Sequence, residues 1–176
     1  MTKEIKRRTK AVERELAAEL GGRRVFNSGA GEDKGDVVVR PQVTMDGDVP
    51  HYASAGLRVE SKITSKTAYS LTADTWLAVR NASRGGELPV MQIITHARRP
   101  FHCEWAVMDY AVAGPLLLTC ALSPKREDVR SYTISSPVRP PFGNLGALKR
   151  ITFRGGYSVL IFSWDMFMTT VLKSLT

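Results

Sequence analysis

The residues of this chain best suited to chemistry sit at the ends of two apolar runs. Asp36 opens Asp36-Val37-Val38-Val39, and Glu60 and Lys62 close Leu57-Arg58-Val59-Glu60-Ser61-Lys62. If the two runs are neighbouring strands, their polar ends converge. Glu60 and Lys62 are two apart, so on a strand they point to one face. Two carboxylates and one ammonium around a point are a minimal kit for holding a divalent metal and cutting a phosphodiester. That cut needs a water deprotonated near neutral pH, non-bridging oxygens relieved of charge, and a stabilised leaving oxyanion. A hard cation held by carboxylates serves the first two, and a lysine orients the water or steadies the charge. In this scheme Asp36 and Glu60 are metal ligands, Ser61 adds its backbone carbonyl, and Lys62 sits beside the attacking water. Each residue alone is more often a solvated strand end. The combination points to chemistry: a glycine-rich loop feeds an aspartate into a valine run, a second run carries Glu-x-Lys, and a helix with Glu13 precedes both.

The elements that must position these groups follow from pattern. Val12, Leu16 and Leu20 recur every four residues and predict a helix over residues 9–20, with Thr9 as its N-cap and Gly21-Gly22 as its stop. Residues 23–27 read as a short strand and Ser28-Gly29-Ala30-Gly31-Glu32-Asp33-Lys34-Gly35 as a loop. Strands are expected over 36–40 and 57–63, and between them Asp46-Gly47-Asp48 signals a turn. A second helix is expected over 71–82, started by Ser70 or Thr72, with Leu71, Trp76 and Val79 towards the core. Strands over 90–96 and 104–110 flank the basic turn Ala97-Arg98-Arg99-Pro100. The expected fold class is α/β, a mixed β-sheet flanked by helices. Beyond residue 112, residues 115–122 read as a buried strand, 136–146 as a loop, 156–162 as a strand and 164–175 as a short amphipathic helix. The expected organisation is a core over 1–112 with a C-terminal extension over 113–176 packed on it. A faint echo links Ile94-Thr95 … Val107-Met108-Asp109-Tyr110 with Ile151-Thr152 … Ser163-Trp164-Asp165-Met166.

Bulk properties agree. The 176 residues suffice for a domain with a real core. No apolar stretch reaches the roughly 18 residues of a membrane span, and the basic N-terminus is not followed by a signal-peptide core. Lys and Arg outnumber Asp and Glu 25 to 17, for a net charge of +8. Such a surplus attracts polyanions, nucleic acid above all. Cys103 and Cys120 lack metal spacing and are expected to be reduced and structural in a cytoplasmic protein. His51, His96 and His102 show no zinc spacing. The loop glycines lack the Gly-Lys-Ser/Thr ending of a nucleotide-binding loop.

The first 110 or so residues resemble the PD-(D/E)XK nuclease superfamily, most of all the archaeal-type Holliday junction resolvases and their phage relatives. The resemblance rests on Ala11-Val12-Glu13-Arg14-Glu15-Leu16, Arg24-Val25-Phe26-Asn27-Ser28-Gly29-Ala30-Gly31, Gly35-Asp36-Val37-Val38-Val39 and Val59-Glu60-Ser61-Lys62. It implies a metal site made by Glu13, Asp36, Glu60 and Lys62, and a contact from Ser28 to the scissile phosphate. Gly35 stands where the family has proline, and the gap from Asp36 to Glu60 is longer, so a longer hairpin or loop is inserted in residues 41–56. The last third lies outside the resemblance.

The activity implied is a Mg2+-dependent endonuclease, with Mn2+ as substitute, acting on branched DNA. One set of site residues per chain and two symmetry-related nicks imply a homodimer. Trp76, Phe101, Trp105 and Tyr110 are candidates for its face. Lys6, Arg7, Arg8, Lys10, Lys66, Arg98 and Arg99 are candidate phosphate contacts, which give affinity without sequence preference. No base-reading motif is visible. Another nuclease of this fold, serving restriction or replication, and a non-catalytic DNA-binding or virion protein on it remain the alternatives.

Overall fold

The structure, a computed structural model, describes residues 3–25, 36–40, 43–46, 49–52, 55–84, 86–95, 103–117, 126–135 and 148–175, with backbone alone for 3–9, 43–46, 49–52 and 126. In chain order the elements are α1 (Lys3–Glu19), β1 (Arg23–Arg24), β2 (Val37–Val39), β3 (Val43–Asp46), β4 (Val49–Tyr52), β5 (Gly56–Ile63), β6 (Ala68–Thr72), α2 (Ala73–Ala82), β7 (Glu87–Thr95), β8 (Cys103–Asp109), α3 (Tyr110–Leu116), β9 (Arg126–Val129), β10 (Ser131–Ser135), β11 (Lys149–Phe153), β12 (Ser158–Ser163), α4 (Trp164–Met166), a π-helical turn (Phe167–Val171) and α5 (Leu172–Leu175). This is the mixed α/β class that the pattern predicts. Two compact units divide it: Met1–Ser61 with Val79–Val90 and Thr176, and Lys62–Ala78 with Met91–Leu175. No described helix is long and apolar enough to cross a membrane.

In the first unit α1 buries the stripe Leu16, Ala17 and Leu20, the spacing of one helix face. The helix begins at Lys3, not at Thr9 as the pattern predicts, so Lys3, Lys6, Arg7 and Arg8 lie within it rather than ahead of it. Lys and Arg are good helix formers, and a mid-helix threonine is tolerated. Its end is a Schellman motif: Gly22 N–H donates to the Ala17 carbonyl and Gly21 N–H to that of Ala18, with Gly21 at φ 63°. Gly22 also allows a close approach to β2, because a Cβ there would lie 2.8 Å from the Val38 carbonyl oxygen. β1 pairs antiparallel with β2 (Arg24 opposite Val37), and β2 with β5 (Val37 opposite Val59). Val37, Val38, Leu57 and Val59 are buried. The expected insertion is a hairpin: β3 and β4 pair from Val43–Tyr52 to Asp46–Val49 around the signalled turn, whose residues 47 and 48 lie outside the described set.

Gly56 N–H donates to the Gly86 carbonyl (3.0 Å), and Thr64 N–H donates to that of Ile94 (2.9 Å). The chain offset is the same at both ends, so β5 and β7 run parallel, and β6 with α2 forms their crossover. α2 starts at Ala73, capped by Thr72, whose Oγ1 accepts the Thr75 N–H at 3.2 Å. The residues before it, expected as the helix start, form β6 instead.

The second unit orders its strands β7-β8-β12-β11-β9; β8, β12 and β11 pair antiparallel and β9 runs parallel to β11. β6 and β10 form a separate antiparallel pair. Val107, Met108, Leu160, Phe162, Phe167 and Val171 make its core. Beyond residue 112, β12 adds directly to β8, and β11 adds to β12. Residues 115–117 correct the expected buried strand: α3 runs through Leu116 and Leu117 caps it, with Pro115 inside its last turn. An apolar run alone does not separate a buried strand from a short buried helix. The expected C-terminal helix is present as α4, the π turn and α5, started by Ser163, whose Oγ accepts the Met166 N–H. The sequence echo has a structural counterpart. β7-β8-α3 and β11-β12-α4 share one order, and antiparallel β8 and β12, with Trp105 opposite Ser163, relate them by a local two-fold.

Candidate functional site

The antiparallel pairing of β2 with β5 sets the start of one strand against the end of the other. Asp36 N–H donates to the Val59 carbonyl (2.9 Å), and Asp36's own carbonyl accepts from Val25 N–H (2.9 Å). The Asp36 side chain is buried, and its Oδ2 accepts the Ser61 N–H at 2.7 Å. That is the short distance of a bond to a charged acceptor. The bond orients the carboxylate. Glu60 is half-buried on β5, and Lys62, also half-buried, follows two residues later on the same strand.

Glu13 reaches this region from α1. Its Oε2 lies 3.2 Å from Arg24 Nε on β1. That nitrogen is buried and itself makes no hydrogen bond. Burial pushes the Glu13 carboxyl above its ordinary value; Arg24 and Lys10 oppose the rise, and the Glu60 charge adds to it. Glu13 and Glu60 thus feel each other, and a cation between such carboxylates relieves their repulsion. The donor chemistry, carboxylates with a backbone carbonyl, fits a hard divalent ion. Among the described residues, no three His, Cys, Asp or Glu side chains gather closely enough to hold one.

The raised Glu13 value has a consequence for stability. The folded state holds that proton more tightly than the unfolded chain. Stability from this group is therefore greatest below the ordinary carboxylate range and falls as pH rises through it towards the folded value. Glu13→Gln is expected to flatten that fall in metal-free protein, read by urea unfolding at several pH values between about 4 and 7.

Two features of the site were missed in the sequence. One is Arg24, which holds Glu13. The other is Arg58, fully buried on β5 two residues before Glu60, which makes a two-pronged pair with Glu87 at the start of β7 (Nε–Oε2 2.7 Å, Nη2–Oε1 3.0 Å). Glu87 also accepts the Arg84 N–H at 3.0 Å. Burial alone raises its pKa, but the Arg58 hydrogen bond, the Arg84 N–H and both positive charges outweigh it and hold the value low. Arg23-Arg24 after a double glycine was a visible signal for the first feature. Nothing local signals the second.

Of the candidate DNA contacts, Lys10 and Lys66 are exposed. Lys6, Arg7 and Arg8 lie on α1, with side chains outside the described residues; Ser28, Arg98 and Arg99 lie outside them altogether. Of the residues suggested for a dimer face, Trp76 is fully buried and so unavailable, Trp105 and Tyr110 are half-buried, and Phe101 lies outside the described set.

No family model matches the chain, and no curated protein matches it. Among solved structures it is similar to Hjc of Archaeoglobus fulgidus, a Holliday junction resolvase from an archaeal hyperthermophile, with 21% identity over 53% of this chain and 72% of that one, at a TM-score of 0.36.

Proposed function

We propose that this chain is a metal-dependent DNA endonuclease that cuts branched DNA, with Asp36, Glu60, the Ser61 carbonyl and Glu13 as the metal-holding set. The observation that carries the reading is the Asp36–Ser61 bond, which fixes the aspartate of β2 on the Glu60-Ser61-Lys62 end of β5. The sequence pattern of both strands and the basic net charge of +8 support it. Magnesium, or manganese in its place, would supply Lewis acidity to the scissile phosphate if held by this set. The Ser61 N–H holds the Asp36 carboxylate in one orientation, and Arg24 does the same for Glu13. Lys62, two residues after Glu60 on β5, takes the part of steadying developing charge. The basic residues of α1 and Lys66 grip phosphates and position the DNA without reading bases. Two nicks across a junction call for two chains, one site each.

The test compares a four-way junction with a linear duplex of the same arms, at matched salt. Cutting of the junction with magnesium or manganese is expected, with preference over the duplex, and a dimer in sedimentation. Equal affinity for both shapes and a monomer would leave a nuclease of another task. Calcium is expected to support binding with little cutting, because its larger, irregular coordination fills the site without aligning the water. A second reading, a non-catalytic DNA-binding protein on this fold, draws on Arg24 already pairing with Glu13 and on the lack of three converging donors among the described residues. DNA binding with no metal-dependent nicking would decide for it.

A further inference from the structure

The last 64 residues, which the nuclease pattern leaves aside, hold eight Lys and Arg against three Asp and Glu, most of the net charge of +8. Part of that surplus is displayed in an ordered way on β11. Ile151 and Phe153 are buried, while Arg150 and Thr152 alternate with them on the other face. Arg150 sits over the Tyr110 ring, its guanidinium carbon 3.7 Å from the ring centre. Its Nε is buried and makes no hydrogen bond, and among the described residues no carboxylate pairs with Arg150. Thr152 bonds across to Ser158 on β12, hydroxyl to hydroxyl at 2.8 Å. Arg154 follows at the turn, half-exposed, 3.6 Å from Asp128. All belong to the second unit.

We infer that this row, Arg150, the Thr152–Ser158 hydroxyls and Arg154, is a second grip on the DNA, taking the phosphodiester backbone of one strand. The inference rests on the DNA reading above and extends it to the C-terminal third. Positions 150 and 152 are about 6.7 Å apart along the strand, comparable to the separation of neighbouring phosphates on a nucleic-acid strand, and Arg154 stands just past the strand's end. Stacking on Tyr110 holds the Arg150 fork in place before binding, so little side-chain freedom is lost when it meets a phosphate. A guanidinium without a carboxylate partner is attracted to an anion at full strength, and hydroxyls beside it add neutral donors to phosphate oxygens. Charge complementarity therefore selects a polyanion, and the linear spacing selects an extended one.

The experiment measures binding of the full chain to a fluorescent four-way junction and to its linear arms, in calcium, across a range of salt. Wild type is compared with Arg150→Gln, Arg150→Lys and the charge-matched control Lys173→Gln on α5. Arg150→Gln is expected to weaken binding several-fold and to lower the slope of log affinity against log salt by about 0.9, one phosphate contact. Arg150→Lys is expected to restore most of that slope, and Lys173→Gln to leave it near wild type. If Arg150→Gln and Lys173→Gln shift the slope equally, only bulk charge is at work and the grip is overturned. An unchanged slope in Arg150→Gln overturns it too, while wild-type binding to DNA leaves the nuclease reading standing. A wild type that binds no DNA at low salt sinks both. Should Arg150→Gln lower the unfolding midpoint, the Arg150→Lys slope decides: recovery supports the grip, and no recovery in a stably folded protein refutes it.

Discussion

Asp36→Asn and Glu60→Gln are each expected to lose cutting by about a thousand-fold or more, ~4 kcal/mol of transition-state stabilisation, while still binding DNA. Each change removes one ligand charge and almost no volume. The backbone bonds that place Asp36, to Val59 and from Val25, involve no side chain and survive it. DNA binding is expected to hold or tighten, since a carboxylate facing phosphates repels them. Single-turnover cleavage of a junction in magnesium, beside a binding titration, separates the two effects. Wild-type cutting by either variant would dismiss the metal-site assignment. Lys62→Ala is expected to slow the chemical step with metal affinity retained, because it steadies charge without ligating.

The second large effect concerns stability. Glu87→Ala is expected to cost about 3–5 kcal/mol, because it strands the Arg58 guanidinium in the interior. Arg58 is only 2% exposed, so water cannot replace the lost partner. The measurement is the urea midpoint of Glu87→Ala against that of Arg58→Met with Glu87→Leu, which removes both charges and is expected to recover most of the loss. A drop below about 1 kcal/mol in the single variant would show that the pair is solvated. The pH dependence has a fixed sign. The Glu87 pKa is depressed in the fold, so its contribution is present above the ordinary carboxylate range and lost as pH falls through the folded value. Acid therefore loosens the joint between the start of β7 and β5, two residues from Glu60.

What the sequence revealed tracks how local each determinant is. Asp36 and Glu60 could be placed because two apolar runs with polar ends demand pairing, and the observed register sets Val37 opposite Val59. The stop at Gly21-Gly22 was equally local. Arg58 was illegible because its alternation in Leu57-Arg58-Val59-Glu60 is that of an exposed strand residue; only Glu87, 29 positions on, reveals it as core. β11 was glimpsed only through the faint echo at Ile151-Thr152, although Lys149-Arg150-Ile151-Thr152-Phe153 alternates polar and apolar. Pro115 and the leucines after it suggested a strand, because the helical turns of α3 are too few for a 3.6-residue period to emerge. The start of α1 was misplaced since a run of Lys and Arg carries helix propensity but no apolar stripe.

The antiparallel seam between β8 and β12 has a further meaning for how the chain comes into being. Trp105 to Asp109 must wait for Val159 to Ser163, so β8 leaves the ribosome long before its neighbour exists. During that interval, one side of a largely buried strand carries unclaimed backbone donors and acceptors, the template on which another chain can add. A nascent or truncated chain that stops short of β12 keeps that edge bare, so in synthesis the C-terminal third is what covers β8.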